Sequence, residues 1–211
     1  VRHGETDWNK QSRFQGQIDI PLNENGKAQA NAASKFLKDI PIQKAFSSSL
    51  LRPRETAQII LKEHPQIGIS LKDNLKEINH GEWEGKLEHE IMSNWSDLLQ
   101  TWKTFPEKVQ MPDGENINEV STRSLTGWKE ICKDLKDNET ALVVAHDAVN
   151  KTILCHLLGL TPSEIWMIKQ GNGGITVIDL SEREDQPDQI TCLNITSHLG
   201  GVIDSTAAGA L

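Results

Sequence analysis

At 211 residues, with 36% hydrophobic and 25% charged side chains, the chain is long enough to bury a full core and too apolar to be disordered. Its net charge of −8 excludes a broad nucleic-acid-binding surface, so any phosphate group must be met by a few clustered cations, and Arg2, Arg13, Arg52 and Arg54 all fall early in the chain. No stretch approaches the roughly 20 apolar residues of a membrane span, and no secretory signal is read.

In chain order, a polar segment runs to Pro21, after which Asn23 caps a predicted helix carrying Ala28, Ala32, Phe36 and Leu37 at helical spacing, ended by Pro41. A short strand over 44–48 opens onto Ser47-Ser48-Ser49-Leu50-Leu51-Arg52, followed by a helix over 55–62 with Ala57, Ile60 and Leu61 inward and a strand near 68–71. The stretch 81–112, with Trp83, Trp95 and Trp102, reads as short helices forming a lid. From Asn116 a long amphipathic helix carries Ile117, Val120, Leu125, Trp128, Ile131, Cys132 and Leu135. The apolar run 140–145 reads as a strand buried on both faces, with His146 at its end, then a helix over 148–158 closing at Gly159. Alternating patterns at 175–180 and 190–195 predict an edge hairpin, and 200–211 a loosely held tail.

Strand and helix alternate, which implies an α/β fold with a mostly parallel sheet, helices on both faces, and ligands beyond the carboxyl ends of the strands. Arg2-His3, Ser47-Ser48 and Ala145-His146 all stand at such ends. One domain over 1–211 is expected. Because only Val1 precedes Arg2-His3, the strand that normally leads into a nucleophile loop is missing from the sequence, and the expectation is a fragment or one domain of a longer chain. Cys132, Cys155 and Cys192, odd in number and set in apolar patterns, read as buried free thiols of a reducing, cytoplasmic compartment and not as a metal site.

A histidine accepts a phosphoryl group only if its reactive nitrogen is unprotonated and nearby cations cancel the approaching charge. His3 can be that nucleophile, Arg2 and Arg52 the cations, His146 a donor to a phosphoryl oxygen, and Glu77 the acid that protonates the leaving oxygen. Arg2-His3-Gly4-Glu5-Thr6, Asn9, Phe14-Gln15-Gly16, Leu51-Arg52 with Glu55-Thr56-Ala57, Glu77 with Gly81 and Trp83-Glu84-Gly85, Pro112-Asp113-Gly114-Glu115 and Val143-Val144-Ala145-His146 occur in an order that resembles the histidine phosphatase superfamily, which includes the phosphoglycerate mutases. The resemblance implies a three-layer αβα sandwich with a small lid insertion. It further implies phosphohistidine at His3, a phosphate pocket of Arg2, Arg52 and His146, Glu77 as proton donor, substrate contacts from Asn9, Gln15 and Gly16, and no cofactor or metal.

Within that family, Gln15 and the absence of any Tyr and of an Arg-rich lid point to a phosphatase of small phosphomonoesters over a 2,3-bisphosphoglycerate-dependent mutase, whose second phosphate needs more cations than Lys86, Lys103 and Lys108. Asp147 stands where the family usually has Gly. As a substrate-binding residue it would accept hydrogen bonds from sugar hydroxyls, favouring a sugar or polyol phosphate, and 145–150 is similar to 2-carboxyarabinitol 1-phosphate phosphatases. A catalytically silent phosphate-binding module would have lost His3, Arg52 or Glu77, and all three are present. The expected partner is a small phosphorylated metabolite, with neither nucleic acid nor membrane involved and homodimer formation left open.

Overall fold

A computed structural model of the chain describes residues 1–181, 183 and 186–201, so all but the first two residues of the expected tail lie outside it. Among the described residues the central sheet has three strands. Strand β1 (Ile42–Ser48) lies between β2 (Ile69–Lys72) and β3 (Thr140–Val144), all three parallel. Because side chains alternate across a strand, Ala45, Leu142 and Val144 serve one face and Phe46, Ala141 and Val143 the other.

Helices cover both faces. Helix α1 (Asp7–Lys10) is a single turn before the layered part of the fold; α2 (Glu24–Leu37) and α3 (Leu51–Ile60) bring Ala33, Ala57 and Ile60 to the first face. On the second, Ile117, Val120 and Ile131 of α5 (Ile117–Asp134) meet Val149 and Ile153 of α6 (Asp147–Leu157). The chain therefore forms the expected αβα sandwich, with β4 (Ile175–Asp179) and β5 (Gln189–Ile195) as an antiparallel hairpin. Truncating a fully buried residue such as Ile131 to Ala would cost about 2–5 kcal/mol.

The stretch 81–112 holds the expected short helices, though its middle is the longer helical span α4 (Glu88–Thr104), flanked by 3-10 turns at Gly81–Trp83 and Pro106–Lys108 and divided at Trp95, where the backbone leaves helical geometry (φ −139°, ψ 45°). Its Ile91, Leu99 and Trp102 belong to the same core cluster as α5 and α6, so the segment is built into the sandwich. Trp83 is also fully buried, and Trp95 packs against that core.

Two corrections concern faces and boundaries. Helix α2 buries Ala30, Ala33 and Ser34, while Phe36 is 47% exposed and stacks on His198. Helix α3 starts four residues earlier than predicted, at Leu51, which puts Arg52 in its first turn.

Residues 1–3 are firmly held. Arg2 bridges Ala145 in parallel, Ala145 N–H donates to the Val1 carbonyl at 3.0 Å, and His3 N–H donates to the Ala145 carbonyl at 3.1 Å. Residues 1–3 thus extend the sheet past the end of β3.

Candidate active site

Beyond the carboxyl ends of these strands lies a cavity of about 20 Å³ lined by Arg2, His3, Asn9, Gln15, Gly16, Arg52, Glu77 and His80. They come from the sheet edge, from the first turns of α1 and α3, from the loop after α1 and from the irregular chain around Glu77. His3 leaves the bridge to β3, Arg52 opens α3 just past β1, and Asn9 is set by a capping box in which Thr6 and Asn9 satisfy each other's backbone amides.

The His3 ring is oriented from behind. Its Nδ1 lies 2.7 Å from the Gly4 carbonyl, which can only accept, so Nδ1 carries the hydrogen and Nε2 keeps a lone pair. That lone pair receives Arg52 Nε–H at 3.3 Å. Burial, with Arg52 and then Arg2 nearby, holds the His3 pKa well below the ordinary histidine value, so the ring is neutral at neutral pH.

Arg52 is fully buried and spreads its guanidinium over three acceptors: His3, the Gly16 carbonyl at 2.7 Å and the Ile18 carbonyl at 3.1 Å. Burial brings its pKa down to about 10, which leaves it cationic at neutral pH. Gly16 is required there. Its φ is +56°, and a Cβ would fall 1.9 Å from a Glu84 carboxylate oxygen, which holds the loop through the amides of Gln17 and Ile18. The oxygens of Asn9 and Gln15 accept from Thr6 Oγ1 at 3.1 and 2.9 Å, and their amide nitrogens have no acceptor among the described residues.

Glu77 is 6% exposed and sits at the N-terminus of α6. Its oxygens accept from the amides of Asp147 at 3.0 Å, Ala148 at 3.2 Å and Ile78 at 3.0 Å. Those donors and Arg52 favour the carboxylate. Burial and then the Asp147 charge outweigh them, so the Glu77 pKa is raised above its ordinary value.

Two of the predicted site residues stand behind the cavity. His146 faces His3 edge-on, ring centroids 5.2 Å apart, and its Nε2 is 2.8 Å from Ser48 Oγ. Burial and then Arg52 keep its pKa well below the usual range. Asp147, expected to meet substrate hydroxyls, is 2% exposed and lies 3.2 Å from Arg2 Nη1 and 2.8 Å from Lys151 Nζ. An anion in that position fixes Arg2, whose Nη1 also donates to the Gln170 carbonyl at 2.6 Å.

Arg13 is on the surface, bonded to Gln11 and the Gly85 carbonyl, and Arg54 does not reach the cavity. His80, one histidine among seven in the sequence, does line it; burial drops its pKa to about 3, so it presents a neutral imidazole. Its place directly before Gly81 was the only cue. Asn172, which donates to the His3 carbonyl at 3.1 Å, had none. A wider open groove of about 430 Å³, lined by Ser12, Leu87, Glu88, His89 and Met92, presents neither arginine nor lysine for a phosphate. Of the three thiols, all free, only Cys155 is buried as expected; Cys132 is half-buried and Cys192 exposed, on a strand of which Thr191, Cys192 and Leu193 all face solvent.

Comparison with known proteins agrees with this geometry. The family model of the histidine phosphatase superfamily (branch 1) matches residues 1–193. The chain is 34% identical to phosphoserine phosphatase 1 of Hydrogenobacter thermophilus, over 95% of this chain and 92% of that protein. It is 31% identical to a 2,3-bisphosphoglycerate-dependent phosphoglycerate mutase of Gloeobacter violaceus, over 78% and 77%. Among solved structures, Bacillus stearothermophilus YhfR superposes with a TM-score of 0.87 at 28% identity, covering 94% of this chain and 96% of that one. The chain belongs to the histidine phosphatase superfamily and is, with it, a phosphoric monoester hydrolase.

Proposed function

We propose that this hydrolase transfers the phosphoryl group of a small phosphomonoester to His3 Nε2 and then to water, without a metal. The observation that carries the reading is the His3 ring itself: Nδ1–H is tied to the Gly4 carbonyl and the Nε2 lone pair lies beside Arg52 in a cavity shared with Arg2. Nε2 attacks phosphorus as the ester P–O bond breaks, and Glu77, whose pKa burial raises toward the task, acts in its acid form and gives its proton to the leaving oxygen. The positive charge that develops on the ring is held by the Gly4 carbonyl. Glu77, now a carboxylate, takes a proton from water, the hydroxide oxygen bonds to phosphorus, the P–N bond breaks, and His3 returns to its neutral form. Arg2 and Arg52 carry the charge of the phosphoryl oxygens through both steps.

Hydrolysis is favoured over mutase activity because Arg2 and Arg52 are the cations at the cavity, and the three lid lysines are occupied elsewhere. Lys86 lies over Trp95, Lys103 pairs with Glu88, and Lys108 lies over Phe105. A second phosphate group would meet none of them. With Asp147 engaged by Arg2 and Lys151, the case for a polyol phosphate weakens, and phosphoserine joins sugar and polyol phosphates among the substrates to compare. The three free thiols support a reducing, cytoplasmic setting, and no helix among the described residues is long and apolar enough to cross a membrane.

The test is phosphate release from phosphoserine, sugar phosphates, polyol phosphates and nucleotides by wild type and His3→Ala, with rapid-quench trapping of labelled enzyme. Wild type should yield an acid-labile phosphoprotein, and His3→Ala should lose about four orders of magnitude in kcat/KM and all trapped label. Full activity in His3→Ala would overturn the mechanism.

A further inference from the structure

The motif Asp113-Gly114-Glu115 lies outside the cavity, yet it is wired to Glu77. Glu115 and Asn79 exchange backbone-level bonds: Asn79 N–H donates to Glu115 Oε2 at 2.8 Å, and Glu115 N–H to the Asn79 carbonyl at 2.8 Å. The approach is close enough that a Cβ on Gly114 would fall 2.3 Å from the Asn79 oxygen. Glu115 in turn receives a bidentate fork from Arg123, Nε to Oε1 at 2.7 Å and Nη2 to Oε2 at 2.9 Å. Its Nη1 and Nη2 also donate to three backbone carbonyls within four residues: Asn74 at 3.1 Å, Lys76 at 2.5 Å and Glu77 at 2.9 Å.

The Glu115–Arg123 pair thus grips the backbone at and on both sides of Glu77 while touching neither its carboxyl group nor the cavity itself. Segment 73–81 has only short 3-10 turns of its own, and although Gln17 Nε2 also donates to the Glu77 carbonyl at 3.0 Å and three amides hold the carboxyl group, Arg123 supplies the only charged grip on the Glu77 backbone among the described residues. We infer that Arg123 and Glu115 are positioning residues for this hydrolase, holding the Glu77 carboxyl group between the α6 N-terminus and the leaving oxygen of the substrate. The inference rests on the acid role proposed for Glu77.

A positioning role makes a prediction that a purely structural one does not, because a misplaced acid matters only when the leaving group needs a proton. Phenolate is a far more basic leaving group than p-nitrophenolate, and kcat/KM reports the step in which it departs. For Arg123→Met, kcat/KM should fall about 30-fold with phenyl phosphate and stay within about 3-fold with p-nitrophenyl phosphate. Glu115→Gln, which keeps the shape and removes one charge, should shift both values in the same sense by about 5-fold and less than 2-fold; it carries the test if Arg123→Met melts early. Equal losses on the two esters, or none, overturn the inference. Glu77→Gln run alongside separates the two layers: if it shows the leaving-group split and Arg123→Met does not, the clamp alone is wrong, whereas if Glu77→Gln shows no split, the acid assignment falls and the clamp with it.

Discussion

The cavity has two unlike halves. Its floor, made of Arg2, His3 and Arg52, is fixed to the parallel sheet and the first turn of α3, largely by backbone and by carbonyls that accept from the arginines. Its wall, made of Glu77 and His80, comes from irregular chain whose shape depends on side chains arriving from α5, the α6 N-terminus and the lid. The comparison teaches that charge is managed by the rigid half and protons by the half that is assembled. The sharpest way to break the floor is Arg52→Met, which removes a buried cation from the phosphoryl oxygens and frees the Gly16 loop. It should cost about 10³-fold in kcat/KM on every ester, aryl or alkyl, measured by steady-state kinetics. Arg52→Lys should recover little, since one ammonium cannot span His3, Gly16 and Ile18.

The wall should fail differently. Glu77→Gln keeps the shape and removes the transferable proton, so kcat/KM for alkyl phosphates should drop about 10²-fold. Its raised pKa sets the sign of the pH profile: the wild-type acid is lost as pH rises through a value above the ordinary carboxylate range, giving a falling alkaline limb. The variant should lack that limb. On the acid side, the depressed His3 pKa keeps the nucleophile unprotonated to pH values below the usual histidine range, so activity should persist there in both proteins. A kcat/KM profile with the same alkaline limb in both would refute the assignment of that limb to Glu77.

The same division decides what was legible in the sequence. The floor could be read because its residues fall within short blocks, Arg2-His3-Gly4 and Leu51-Arg52, whose order along the chain carries the family resemblance, even though the start of α3 at Leu51 was not predicted. Position behind the cavity was not readable for His146 and Asp147: a strand-end motif gives the location of a backbone, whereas the side chain's target was fixed by Ser48 in one case and by Arg2 and Lys151 in the other. Arg123 was invisible for a related reason. It lies inside an amphipathic helix, where a charged residue reads as solvent-facing, and only the fold brings it to the carbonyls of 74, 76 and 77. That Trp102 and Leu99 of the lid enter the core shared with α5 and α6 was not readable either, because tryptophan spacing does not reveal which side chains turn inward.

The smallest effect expected is on stability, and it separates the halves again. His3, His80 and His146 are buried and neutral, each with a folded pKa below its unfolded value, so below about pH 6.5 the unfolded chain binds protons that the folded chain refuses. Their sign is therefore destabilisation on acidification, about 1 kcal/mol per pH unit for each histidine while pH stays above its folded pKa, which for His80 means down to about 3. Glu77 acts oppositely: above its ordinary value and up to its raised one, the folded state holds the proton, so stability is lost as pH rises through that window. Denaturant titrations of wild type and His80→Phe between pH 6.5 and 4.5 should give a shallower decline in the variant, by about 1 kcal/mol per unit, as the substitution removes one neutral imidazole from the wall and leaves His3 and His146 in place. Parallel declines would mean that His80 titrates freely, and that the wall opens to water far more readily than its packing against Phe14 and Trp102 implies.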